Sequence, residues 1–377
     1  MNHKNIVLSF LVMFFLSSIG TAQFITQPPS GGNQKASVSQ WMGIVKAKFV
    51  YNSPDVTGPS GEDRTGKIWG ELVPWGMLNL GFGTAEESPW RAGANENTVF
   101  HISHDVLIEG ESLPAGQYGF HLIPQENGSW TLIFSSNSSS WGSYYYNPDE
   151  DVLRVEVVPE ESEYTEWLTF GFDNRRLDGS TAYLKWEKMK ISFDIKVPNI
   201  NDLYLAEIRN ELRSSPGFTY LSWVQAANFC VQNKINLDEA LIWAETAIST
   251  PFIGQRNFQT LQTKAGVLSA MGNQSEADVV MEEAIKDPTA AVTDIHQYAR
   301  SLIVAGRNEK ALEVFEYNRK AHPEDTFTTY IGLARGYAGV GNTKKAIKNW
   351  ELAIKNLPEN QKPNLAYYEA ELKKLKE

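Results

Sequence analysis

The chain is poor in cysteine, histidine and clustered positive charge, and each shortage closes off a class of function. Cys230 is the single cysteine among 377 residues, so no intrachain disulfide can form and no thiolate cage can hold a metal. There are six histidines. His101 and His104 stand three apart, a spacing that sends them to opposite faces of a strand, and His121 stands alone. A His-Glu-x-x-His helix motif is absent, and the acidic runs Asp149-Glu150-Asp151 and Glu160-Glu161 lack the spacing of a calcium loop. There is no Gly-x-Ser-x-Gly elbow and no glycine loop built to cradle phosphate. The sequence therefore supplies no catalytic residues, no metal and no cofactor, and leans away from an enzyme. The formal net charge is −11, with no Lys/Arg cluster before the last few residues. Nucleic acid needs a basic face, so it is excluded as a partner. After the first residues, no apolar run is long enough to span a bilayer.

Those first residues have the layout of a signal peptide. Lys4 supplies a positive charge, residues 6–16 are apolar, and Gly20 and Ala22 put small side chains before a cut that leaves Gln23 as the new N-terminus. The expectation is an exported protein, periplasmic or secreted. Residues 23–36, rich in Gln, Pro, Gly and Ser, read as a flexible leader on the mature chain.

From residue 37 to 197 the apolar pattern has period two. Met189, Ile191, Phe193, Ile195 and Val197 alternate with polar residues, which predicts a strand with one buried face. Residues 130–134, 152–158 and 166–172 repeat the theme, with turn signals at Pro114-Ala115-Gly116, Asn127-Gly128 and Asp178-Gly179. Closely spaced short strands without a long helix predict an all-β sandwich or barrel. Residues 198–201 read as a linker, and a helical domain follows over 202–377.

In that second half the helices repeat. Ala240, Ala277, Ala311 and Ala346 are 37, 34 and 35 residues apart, and Gly272, Gly306 and Gly341 precede the last three by five. Pro251, Pro288, Pro323 and Pro358 close the second helix of each pair. Large first-helix residues such as Tyr330, Leu333 and Tyr337 and second-helix residues Ala346, Trp350, Ala353 and Pro358 complete the best unit. This array resembles the tetratricopeptide repeat over about 220–360, which implies an all-α superhelical stack of helix hairpins. The unit from Leu221 is degenerate, and Asn318 stands where a small residue is usual. Residues 363–376 read as a polar cap helix.

The resemblance implies a groove lined by one face of each first helix: Ser222, Gln225, Phe229 and Gln232, then Gln259 and Gln262, then His296, Arg300 and Ile303, then Ile331 and Arg335. Such a surface suits an extended peptide or protein segment with acidic or amide groups.

In the β half, residues 66–76 (Gly-Lys-Ile-Trp-Gly-Glu-Leu-Val-Pro-Trp-Gly), 90–98 (Trp-Arg-Ala-Gly-Ala-Asn-Glu-Asn-Thr), 113–118, 123–124 and 130–134 together resemble a bacterial family known as domain of unknown function (DUF) 2911. The resemblance implies an exported β-rich domain, often joined to repeats, and implies no activity. One departure is the insertion of residues 77–89 ahead of Trp90-Arg91. Read from its residues, the 90–98 loop offers Trp90, a forked donor in Arg91, an amide in Asn95 and a carboxylate in Glu96. These residues could hold a small polar ligand, or Arg91 could pair with Glu96 and stitch the loop to the sandwich. Trp69, Trp75, Trp90, Trp141, Tyr144, Tyr145 and Tyr146 leave stacking on a sugar as a further alternative to simple core packing. The leading expectation is a non-enzymatic envelope protein whose helix array captures a partner. The alternative is a small-ligand or carbohydrate binder, or an enzyme, centred on Arg91, Asn95 and Glu96.

Overall fold

Alternating side chains build the first half of the molecule, and the computed structural model shows how. It describes residues 30–377; the expected signal peptide at 1–22 lies outside the described residues. Two compact units divide between Leu203 and Tyr204.

In the first unit, a six-stranded antiparallel sheet has the order β1-β2-β3-β6-β7-β8, and a four-stranded one has the order β5-β4-β10-β9. The strands run β1 (Gln34–Met42), β2 (Val45–Ser53), β3 (Val99–Ile102), β4 (Val106–Ile108), β5 (Glu111–Leu113), β6 (Gly116–Ile123), β7 (Trp130–Ser135), β8 (Asp151–Val157), β9 (Glu160–Arg176) and β10 (Gly179–Lys196). Pairing of β1 with β2 begins at Gln34↔Ser53, so residues 34–36 belong to the sheet and not to the leader. Backbone pairing overrides the polar side chains there.

Facing phenylalanines join the two sheets as a sandwich. Phe49 on β2 stacks on Phe170 of β9 at 4.4 Å, and Phe120 on β6 lies nearly parallel to Phe193 of β10 at 5.8 Å. Each such pair adds about 0.5–1.5 kcal/mol beyond area burial. β10 stays on this core over eighteen residues by changing phase. Ala182, Leu184 and Trp186 are buried at even positions, then Ile191, Phe193 and Ile195 at odd ones. The pairing with β9 slips on either side of Glu187, which has φ 55°. This irregularity returns the strand to the same face after the alternation shifts.

The second unit is helical. Its first helix, α1 (Ile200–Leu212), spans the division and begins inside the expected linker. Four antiparallel pairs follow: α2 (Tyr220–Asn233) with α3 (Leu237–Ser249), α4 (Phe258–Ala270) with α5 (Gln274–Ala284), α6 (Val292–Val304) with α7 (Asn308–Ala321), and α8 (Thr328–Gly339) with α9 (Thr343–Lys355). The closing helix is α10 (Leu365–Lys376), and its Tyr368 packs on Phe327 and Trp350. Ala240, Ala277, Ala311 and Ala346 are all buried, as close helix crossings require. Gly272, Gly306 and Gly341 turn the chain in the left-handed region, with φ of 88°, 75° and 79°. The first pair lacks such a glycine and places Lys234 and Asn236 there instead, with φ of 56° and 47°. That substitution is the structural content of its degeneracy. Asn318 is fully buried and donates its amide to the carbonyl of Val292 at 2.9 Å, so it ties α7 to the start of α6. Cys230 is buried as a small hydrophobe, and burial pushes its thiol up to about 11. Among the described residues, no helix is long and apolar enough to cross a membrane.

Candidate functional sites

In each unit, one concave site gathers several of the residues singled out by the sequence. In the β unit the 90–98 loop is fixed from both ends. Trp90 exchanges two backbone hydrogen bonds with Leu122, each 2.8 Å, beyond the point where β3 leaves the edge of β6. The hydroxyl of Thr98 donates to the carbonyl of Ala92 at 3.0 Å, and the amide of Ala94 donates to Asn52 O at 3.1 Å. Ala92 and Asn95 are both in the left-handed region, at φ 52° and 57°. For Ala92 that conformation is strained, at a cost of about 1–2 kcal/mol.

The turn at Asn95 separates the side chains that the sequence had grouped. Trp90, Arg91 and Asn95 line a cavity of about 460 Å³, whereas Glu96 lines a separate, smaller one. The expected Arg91–Glu96 pair does not form. Arg91 Nη1 donates to the Asn95 carbonyl at 2.5 Å, and the guanidinium lies over the Tyr144 ring at 5.1 Å. Glu96 accepts from the Asn52 amide and faces Lys35 at 3.5 Å. Asn95 donates to Ser30 O at 3.2 Å. A Cβ on Gly142 would sit 2.3 Å from the Arg91 guanidinium carbon, so the glycine makes room for the cation.

Three features of this cavity were not visible in sequence. Trp186, from the bulged stretch of β10, stacks on Trp90 at 6.1 Å and completes a wall. Ser143 lines the cavity and shares a 3.0 Å hydrogen bond with Nδ1 of His121, which is buried behind it. Burial, and then the Arg91 charge, lower His121 to about 4, so at neutral pH the ring is uncharged. The inserted residues 77–89 supply Leu78, Leu80 and Ser88 to the wall. Leu78 and Ser88 close the neck of that insertion with backbone bonds of 2.9 and 3.1 Å. Its tip rests on Tyr144 through Phe82, whose ring lies 5.6 Å away, and through Gly83, where a Cβ would strike the Tyr144 carbonyl. Among the other aromatics, Trp69, Trp75 and Trp90 pack against the core and Tyr146 is buried, while Trp141 and Tyr145 are exposed.

In the helical unit, one concavity of about 260 Å³ gathers His296 and Arg300 of α6 with Ile331 and Arg335 of α8. Positions four apart on one helix face, repeated on the next first helix, produce this convergence. Among the described residues, neither arginine has a carboxylate partner. Arg335 contacts Nε2 of His296 at 3.4 Å, donates to the hydroxyl of Tyr367 at 3.4 Å, and faces Trp350 at 5.9 Å. His296 itself is buried, and burial, followed by Arg335 and Arg300, lowers it to about 4. The other groove positions do not join this concavity. Gln225, Gln232 and Gln259 are exposed, and Gln262 lines a different depression. Phe229 is a correction: its ring packs on Tyr204 of α1 at 5.8 Å and is half-buried in the core around α2 and α3. The added helix α1 covers the face that the register left open.

Residues 33–195 match a family described as Protein of unknown function (DUF2911). That match covers the β sandwich and, apart from Gly31, the residues that line its cavity. No curated protein matches the chain. Among solved structures, "MamA 41-end from Desulfovibrio magneticus RS-1" matches at 18% identity over 42% of this chain and 94% of that one, with a TM-score of 0.27. "MamA MSR-1 C2" matches at 12% identity over 42% and 88%, with a TM-score of 0.26.

Proposed function

We propose that the helical unit captures a partner protein through an extended, carboxylate-bearing segment seated between Arg300 and Arg335. The observation that carries this reading is two arginines without carboxylate partners converging on one concavity, in a chain whose net charge is −11. A guanidinium takes a carboxylate through two parallel hydrogen bonds, which gives direction as well as affinity. Ile331 and the ring of Tyr368 supply apolar floor for a neighbouring side chain. The capture role is non-enzymatic, and the signal-peptide layout read at residues 1–22 supports an exported, envelope-located protein.

Fluorescence anisotropy with short labelled peptides tests the capture. A Glu-rich peptide should bind, and a Lys-rich peptide of the same length should not. The double variant Arg300→Glu with Arg335→Glu should weaken binding about a hundredfold or more, since it sets like charges against each other at both positions, which costs several kcal/mol. Equal binding by native and variant protein would sink the assignment. Export is checked separately: the secreted chain should begin at Gln23, and a chain that keeps Met1 inside the cell contradicts it.

A further inference from the structure

We infer that the β-unit cavity beside Arg91 binds a small molecule with a single carboxylate on an apolar, flat body. Its volume, about 460 Å³, falls within the range of small-molecule sites, about 300–1,000 Å³. Its walls are mostly apolar and include Leu78, Leu80 and the stacked rings of Trp90 and Trp186. A ring or short hydrocarbon body packs favourably on such a lining.

Charge selects the head group. Arg91 is half-buried, and among the described residues its partners are the Asn95 carbonyl and the Tyr144 ring alone. A guanidinium removed from water without a counter-charge is costly, and a bound carboxylate relieves that cost. The other cation in the wall, Arg64, is already paired with Glu62. Asp55 also lines the cavity, and its carboxylate takes no partner among the described residues. One negative charge on the ligand therefore meets Arg91, and a second would meet Asp55 unfavourably. The specificity is for a monoanion over both the neutral analogue and the dianion.

The cation is also held in place for this use. The Asn95 carbonyl and the Tyr144 ring fix its direction, and Gly142 leaves space that any side chain would fill. His121 adds no competing charge at neutral pH, since its ring is uncharged there. Ser143 presents its hydroxyl bonded to that ring as a further polar contact on the cavity wall.

Tryptophan emission of the full-length protein reports the test directly, because Trp90 and Trp186 form part of the wall. Phenylpropionate is the probe, phenylpropanol is the same body without charge, and phenylsuccinate carries a second carboxylate. Phenylpropionate should give a saturable change, with affinity at least about tenfold above either comparison ligand. Arg91→Gln should remove the preference over the alcohol. Leu80→Trp, which fills the cavity from the inserted loop and leaves Arg91 unchanged in sequence, should abolish binding of all three. If Arg91→Gln fails to fold, the ranking in native protein and the Leu80→Trp variant still decide. The variant with Arg300→Glu and Arg335→Glu should bind phenylpropionate as native protein does, which keeps this site separate from peptide capture. No saturable change, equal affinity for the alcohol, or undiminished preference in folded Arg91→Gln protein overturns the inference.

Discussion

The two units solve one electrostatic problem in different ways. Each presents arginine without a carboxylate partner, and each keeps a buried neutral histidine beside it. In the β unit, Arg91 is held by a loop whose geometry comes from distant backbone: Asn52 on β2, Leu122 on β6 and Tyr144 after β7. In the helical unit, Arg300 and Arg335 come together because they occupy equivalent positions on successive first helices. The first site depends on long-range contacts, and the second on a repeated local one. Damage should therefore spread through the β unit and stay local in the array.

The largest expected effect comes from removing the β core. Phe49→Ala deletes the ring that stacks on Phe170 and touches Phe100, Phe120 and Phe193. It should cost about 3–5 kcal/mol. Hydrogen exchange should show lost protection throughout β2, β6, β9 and β10, with the helices unchanged. Equal loss in the helices would end the distinction between the units.

Acid is expected to act on both units. His121 and His296 are each lowered to about 4, against about 6.5 when unfolded. Their contributions are full above about pH 6.5 and are lost as pH falls toward 4, where the folded state must accept a proton it disfavours. Each is worth about 3 kcal/mol. Denaturant titrations between pH 7 and 4 should show the slope, and His121→Gln or His296→Gln should each flatten it. The comparison sharpens with peptide present. A carboxylate seated between Arg300 and Arg335 offsets the repulsion on His296 and raises its pKa, so by linkage the peptide binds more tightly as pH falls. His121 should not respond.

Smaller effects belong to single repeats. Ala346→Leu forces a larger side chain into the crossing of α8 and α9 and should cost about 1–3 kcal/mol, with protection lost in that pair first. Smallest of all, Gly341→Ala should cost about 1 kcal/mol at φ 79°, while Lys234→Gly should gain about 0.5 kcal/mol at φ 56°. Thermal unfolding of the two variants reads the opposite signs. If they share a sign, the left-handed turn is not what distinguishes the first pair from the rest.

The same contrast explains what could be read from sequence. Helix pairs announce themselves through Ala and Gly at a fixed period, so the positions of Arg300 and Arg335 followed from register. Phe229 misled because α1, outside the repeat, brings Tyr204 onto it. Strands were legible where alternation was clean, as from Met189 to Val197, but the change of phase near Glu187 required a pairing partner to explain it. The Trp90–Arg91–Asn95–Glu96 cluster was found as residues and misjudged as geometry. A single left-handed residue, Asn95, turns Glu96 away, and short-range sequence does not encode that turn. Trp186 lies 95 residues after Arg91 and joined the cavity only through the sheet.

The inserted segment at residues 77–89 has a consequence for how this cavity could diversify. Its neck is closed by Leu78 and Ser88, and its flanks are anchored at the end of β6, Trp90 on Leu122 and Gly76 on Pro124, the residue just after the strand. What lies between is a detachable rim. Doubling the length of such a closed loop costs only about 0.6 kcal/mol, so its length can change without disturbing strand register. In the inferred binding, Arg91 is a fixed socket, and the rim sets the shape of the body that fits beside it.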